Sequence, residues 1–204
     1  MAMVPEDPDL EELRTTAASC TACNLYRDAT QTVFGKGLAR SDVRLVGEQP
    51  GDKEDLAGEP FVGPAGRRLD EALVAAGIDR DQAYVTNVVK HFKFEQRGKR
   101  RIHKKPNMSE IGACRPWLDA EIEVVQPSAL VCLGATAAQA LLGRSFRVTQ
   151  HRGEFVDSDL APLVTATIHP SAILRAADER ETEMQGLIDD LKRVRKALAK
   201  LGTG

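Results

Sequence analysis

Nowhere does the chain contain an apolar run long enough to span a bilayer. Its first residues, MAMVPEDPDLEELRTT, are acidic and lack the basic, apolar and small-residue sections of a signal peptide. Both absences lead to the expectation of a cytoplasmic protein with no membrane partner. Cysteine is sparse, with four in 204 residues, and in a cytosolic chain a disulfide framework is excluded. There is also no internal repeat and no linker. What remains, with 42% of residues hydrophobic, excludes disordered and fibrous classes and suits one domain over 1–204, expected to be a monomer.

The formal net charge is only −2, but its distribution is uneven. Between residues 90 and 105 lie eight Lys or Arg (Lys90, Lys93, Arg97, Lys99, Arg100, Arg101, Lys104, Lys105) against the single acid Glu95, a local +7 that leaves −9 elsewhere. A mildly acidic body with one concentrated basic segment is the arrangement of a protein that meets phosphates at one place; a solvated loop would look the same by charge alone.

Apolar periodicity predicts helices at 11–18, 66–76, 109–125, 136–142 and 179–201. Strands are predicted at 42–47, 83–89, 129–133 and 163–168, with an edge strand at 154–156. The helix at 66–76 carries Leu69, Leu73 and Ala76 on one face and stops at Gly77, and Ser109 with Glu110 is read as opening the next long one. This alternation predicts an α/β fold, a central, mostly parallel four-stranded sheet with helices on both faces, whose ligands bind beyond the carboxyl ends of the strands. Three unusual segments fall at such ends: Gly47-Glu48-Gln49-Pro50-Gly51, Asn87 with the basic segment, and His169-Pro170-Ser171.

The cysteines are Cys20-x-x-Cys23, Cys114 and Cys132. Four thiolates with one pair at this spacing suit a tetrahedral metal site or a four-iron cluster, and spacing does not separate the two. The glycine-bounded turn at 47–51 exposes backbone N–H groups beside a carboxylate and an amide. The loop GEPFVGPAG is read as holding Phe61 outward as a stacking surface. His91 and His151 belong to no motif.

GEQPG, GEPFVGPAGRRLDEAL, YVTNVVK, the HPS segment and the cysteine spacing together resemble the iron-sulfur, or family 4, uracil-DNA glycosylases. Gln49, in place of the usual alanine, and the inserted Lys99-Arg100-Arg101-Ile102-His103 resemble the X-type (UdgX-like) members, which cross-link to DNA through the histidine of that loop. The resemblance implies a uracil-DNA glycosylase-like fold with a [4Fe-4S] cluster on Cys20, Cys23, Cys114 and Cys132. It implies DNA-repair activity on uracil-containing DNA, with single strands preferred. His103 is then the nucleophile, Glu48 faces the sugar and His169 faces uracil O2, while Phe61, Asn87 and the Gln49 backbone contact the base. Lys99, Arg100, Arg101, Lys104, Lys105 and Ser171 are expected at phosphates; the neighbouring cations favour a neutral His103 and the DNA phosphates oppose them, so the sequence does not fix the sign of the net shift. Two other functions share these features: a multiple-turnover glycosylase whose basic loop only binds phosphate, and a noncatalytic iron-sulfur or zinc protein that binds single strands.

Overall fold

The computed structural model describes residues 3–202. In chain order the elements are α1 (Leu10–Ala17), β1 (Val43–Gly47), α2 (Asp52–Ala57), α3 (Pro64–Ala76), β2 (Ala83–Asn87), β3 (Phe94–Arg97), β4 (Arg100–His103) and α4 (Met108–Val125). Then follow β5 (Ala129–Leu133), α5 (Ala135–Leu142), α6 (Val148–His151), β6 (Phe155–Val156), β7 (Leu163–Thr167), α7 (Pro170–Arg175) and α8 (Arg180–Leu201). Strands β2, β1, β5 and β7 lie side by side and parallel, and β6 adds an antiparallel edge of two residues. The four expected strands are present, and the sheet is wider by that edge.

Every residue of β1, β2 and β5 is buried, because helices cover both faces of the sheet. Alternation along each strand divides the core in two. Val43 and Leu45 of β1 pack with Leu73 of α3 and Leu191 of α8, whereas Val46 points into the opposite layer, with Leu13 of α1 and Trp117 of α4. Helix α3 begins on Pro64 and ends at Gly77, whose φ of 72° is the left-handed conformation that stops a helix. Helix α4 starts one residue earlier than expected. Asn107, not Ser109, caps it, by accepting the Glu110 N–H while the Glu110 carboxylate accepts the Asn107 N–H.

The basic segment is not a loop but a hairpin, β3 antiparallel to β4, with Gly98 at φ 58° in its turn. The chain steps from β1 to β2 on one side, then returns to lay β5 and β7 on the other. Winding therefore reverses between β1 and β5, and at such a point the carboxyl ends of parallel strands open a crevice. Among the described residues no helix is long and apolar enough to cross a membrane.

Candidate active site

That crevice is a cleft of about 660 Å³. Strand β1 delivers Glu48 and Gln49 to it, β2 delivers Asn87, β5 leads into Thr136, β7 leads into His169, and the hairpin supplies His103. The three segments singled out in the sequence meet here.

Asn87 is 2% exposed, and its Oδ1 is buried with no hydrogen-bond partner. An orphan acceptor costs about 1–3 kcal/mol unless a donor arrives to satisfy it. Gly47 makes room for this arrangement, since a Cβ there would sit 2.4 Å from Asn87 Oδ1 and 2.6 Å from Phe61 Cζ. Phe61 lines the cleft but is largely buried rather than held outward. Its φ of 58° is left-handed, a conformation a phenylalanine keeps only under constraint. Two contacts supply it: Gly66 packs so closely that a Cβ would lie 1.7 Å from Phe61 O, and Glu54 accepts the Gly63 N–H at 2.8 Å. The Phe61 ring lies 5.9 Å from that of His169, inclined by 29°.

His169 is held in one tautomer. Its Nδ1 accepts the Ser171 N–H at 3.1 Å and lies 2.9 Å from Ser171 Oγ, which in turn accepts from Arg175 at 3.0 Å. A nitrogen that accepts carries no proton, so the ring proton resides on Nε2. Burial, then the positive charge of Arg175 and the nearby His103, pull the pKa down to about 4, leaving a neutral donor at neutral pH. Ser171, expected at phosphate, lines the cleft and orients His169. Arg175, in the last turn of α7, was not singled out in the sequence.

At the other end of the cleft, Glu48 Oε1 lies 3.4 Å from His103 Nε2, a contact longer than a good hydrogen bond. The second carboxylate oxygen accepts from Thr136 Oγ1, a residue whose role the sequence did not reveal. The His103 pKa is lowered, chiefly by partial burial and further by Arg175, against the opposing pull of Glu48. The cation responsible is thus Arg175 rather than the hairpin's own charges.

Gln49 and Arg101 clamp the hairpin. The Gln49 amide donates to Lys93 O at 3.2 Å and Lys104 O at 3.0 Å and accepts the Lys93 N–H at 3.1 Å. Its side chain is therefore committed to the hairpin, with the residue still lining the cleft. Arg101, expected at phosphate, turns inward and donates to Asp52 Oδ1 and Asp55 Oδ2, both at 2.6 Å, with its guanidinium stacked on Phe92 and Phe94. Lys99 and Arg100 are exposed at the turn, Lys104 pairs with Glu95 at 2.5 Å, and Lys105 lines the cleft.

Cys114 and Cys132 are buried in the core layer against which Cys20 and Cys23 pack. Trp117 Nε1–H donates to Cys20 Sγ and the Lys90 N–H to Cys114 Sγ, both at 3.2 Å, the donors that anionic sulfur accepts. Burial pushes the Cys114 and Cys132 thiols up to about 12, so they ionise only with a cation beside them. Among the described residues no three such side chains stand close enough to hold a metal ion. The donor chemistry of the four thiols, sulfur in one core layer with N–H groups aimed at two of the atoms, fits a metal cluster.

Residues 34–192 match the model of the uracil DNA glycosylase superfamily. The chain is 34% identical over 195 residues to a type-4 uracil-DNA glycosylase of Thermotoga maritima, covering 95% of this chain and 96% of that one. Similar type-4 enzymes occur in Sulfurisphaera tokodaii, 32% identical with 92% of this chain and 84% of the relative covered, and in Pyrobaculum aerophilum, at 34%, 82% and 85%. With a parallel sheet opening at its switch point onto Glu48, Asn87 and His169, the chain belongs to the uracil-DNA glycosylase superfamily, with relatives of the type-4 kind.

Proposed function

We propose that this protein releases uracil from DNA and remains joined to the exposed sugar through His103, one turnover per molecule. The observation that carries the reading is the approach of His103 to Glu48 on a hairpin held by Gln49 and Arg101. A loop that served only phosphates would have no need of so firm a seat.

The base must leave the stack to enter the cleft. Asn87 Oδ1 accepts from uracil N3–H and its amide donates to O4, a pairing that cytosine would reverse at both positions. Phe61 stacks on the base and the Gln49 backbone adds a contact to O4. As the glycosidic bond breaks, His169 Nε2–H donates to O2, where negative charge gathers. Glu48 favours the positive charge growing at C1′.

His103 is neutral at neutral pH, since its pKa is lowered, and has a lone pair to give. That pair forms the N–C1′ bond, while the electrons of the C1′–N1 bond leave with uracil, which takes a proton from solvent. The imidazolium so formed loses its remaining ring proton to Glu48 or to water. Lys99, Arg100, Lys104 and Lys105 hold the phosphates of the strand, single strands being the preferred substrate. Cys20, Cys23, Cys114 and Cys132 would hold a [4Fe-4S] cluster, which ties the segment at 20–23, α4 and β5 together and takes no part in the bond changes.

Counting released uracil with DNA in excess tests the proposal. It expects a plateau at one uracil per active protein molecule. Continued release with free abasic strand would establish a multiple-turnover glycosylase instead, and tight strand binding with no uracil released would leave only a binding protein.

A further inference from the structure

Beneath the cleft, two cations share one carboxylate in the dry interior. The side chains of Arg44 and Glu121 are 0% exposed and that of Lys90 is 1% exposed. Lys90 Nζ donates to Glu121 Oε2 at 2.5 Å, Thr86 Oγ1 at 2.7 Å and the main-chain carbonyl of Asn87 at 2.8 Å. Thr86 directs its own proton to Glu121, and a carbonyl has none to give, so all three partners are acceptors. Nζ is therefore an ammonium with every proton engaged.

Glu121 needs only one cation to balance it. Arg44 already lies 3.4 Å away, stacked on Tyr84, whose hydroxyl also donates to the carboxylate. Arg44 makes no hydrogen bond, so Lys90 is the hydrogen-bonded counter-ion of Glu121, and its charge also favours an anionic Cys114 sulfur, but neither role calls for the bond to the Asn87 carbonyl. Its main chain is anchored too: the N–H donates to Cys114 Sγ, and the carbonyl accepts from Val33 at 2.7 Å. From this fixed base the ammonium reaches back to the carbonyl of Asn87 at the end of β2, beyond which Val88 and Val89 still donate to the main chain of Gly47 and Glu48.

We propose that Lys90 is a positioning residue for base recognition: by holding the Asn87 carbonyl it fixes the backbone from which the orphan Oδ1 meets the base. The inference rests on the assignment of Asn87 to the uracil edge. K90M is the suitable variant, because it leaves Arg44 as a cation 3.4 Å from Glu121 and does not touch the N–H that meets Cys114.

The test is a double-mutant cycle on single-turnover uracil release, with wild type, K90M, N87A and K90M/N87A, each shown to melt cooperatively. K90M is expected to slow release about 10–100-fold, the scale of losing a partner that orients a site residue. In the N87A background the same change should cost only about twofold, because a residue acting through Asn87 has nothing left to position. A purely architectural lysine would give equal losses in both backgrounds, and that result, or no loss from K90M, overturns the inference while N87A still slows release. Unimpaired release by N87A would overturn the reading of Asn87 itself. If K90M does not fold, T86V, which takes one acceptor from the ammonium, replaces it in the same cycle: a loss confined to the Asn87 background supports the inference, and equal losses or none overturn it.

Discussion

The two site histidines are both kept neutral by burial and Arg175, and differ in how they are held. His169 is partly buried and given one tautomer by Ser171, so it stays a neutral donor down to about pH 4. His103 is half exposed, and its pKa lies below the ordinary 6.5 because burial and Arg175 outweigh Glu48. The sign of its pH dependence follows. The neutral ring attacks, so the reactive form is full above the folded-state pKa and is lost as pH falls through it. Adduct formation, followed by quenched time courses across pH, should decline on acidification with a midpoint below the ordinary 6.5. A midpoint at or above 6.5 would mean that Glu48 governs the ring instead.

The hairpin is the element on which the proposed covalent step rests. Gln49 makes three bonds to its base, and losing them leaves partly buried groups of Lys93 and Lys104 unpaired, at about 1–3 kcal/mol. Q49A should therefore loosen β3–β4 without disturbing Asn87 or His169. The expected outcome is uracil release within about threefold of wild type, a gap of under 1 kcal/mol, with a reduced ratio of adduct to free abasic strand. An unchanged ratio on a denaturing gel would remove Gln49 from the account of the hairpin. The central strands were legible in sequence because complete burial writes an apolar run, as in Ala129–Leu133. The hairpin was not, since charged side chains hide its alternation. Arg100 and Arg101 look alike until the strand is known. Alternation then turns Arg101 toward Asp52 and Asp55 and leaves Arg100 in solvent. The role of the Gln49 side chain was not read because nothing local in GEQPG announces partners 44 and 55 residues away. Thr136 and Arg175 went unnoticed for the same reason, as their roles exist only once β5 and β7 bring their ends together.

Across the whole molecule, a sheet reversal makes the cleft, and the basic segment stands at its mouth against an acidic body. Because Arg101 is engaged inside, the charges left for phosphates are those of Lys99, Arg100, Lys104 and Lys105. Each phosphate neutralised on a single strand contributes about 0.7 to the slope of log affinity against log salt. K99A/R100A should flatten that slope by about 1.4, measured by titration at several salt concentrations, while R101M should alter it little. The central claim remains the bond from His103 to C1′. Wild-type protein and H103A, each mixed with a uracil-containing single strand and run on a denaturing gel, test it most directly. The account predicts a shifted protein–DNA band for the wild type alone, with uracil released by that protein. Active wild type that releases uracil and gives no shifted band, or H103A that still gives one, would contradict it.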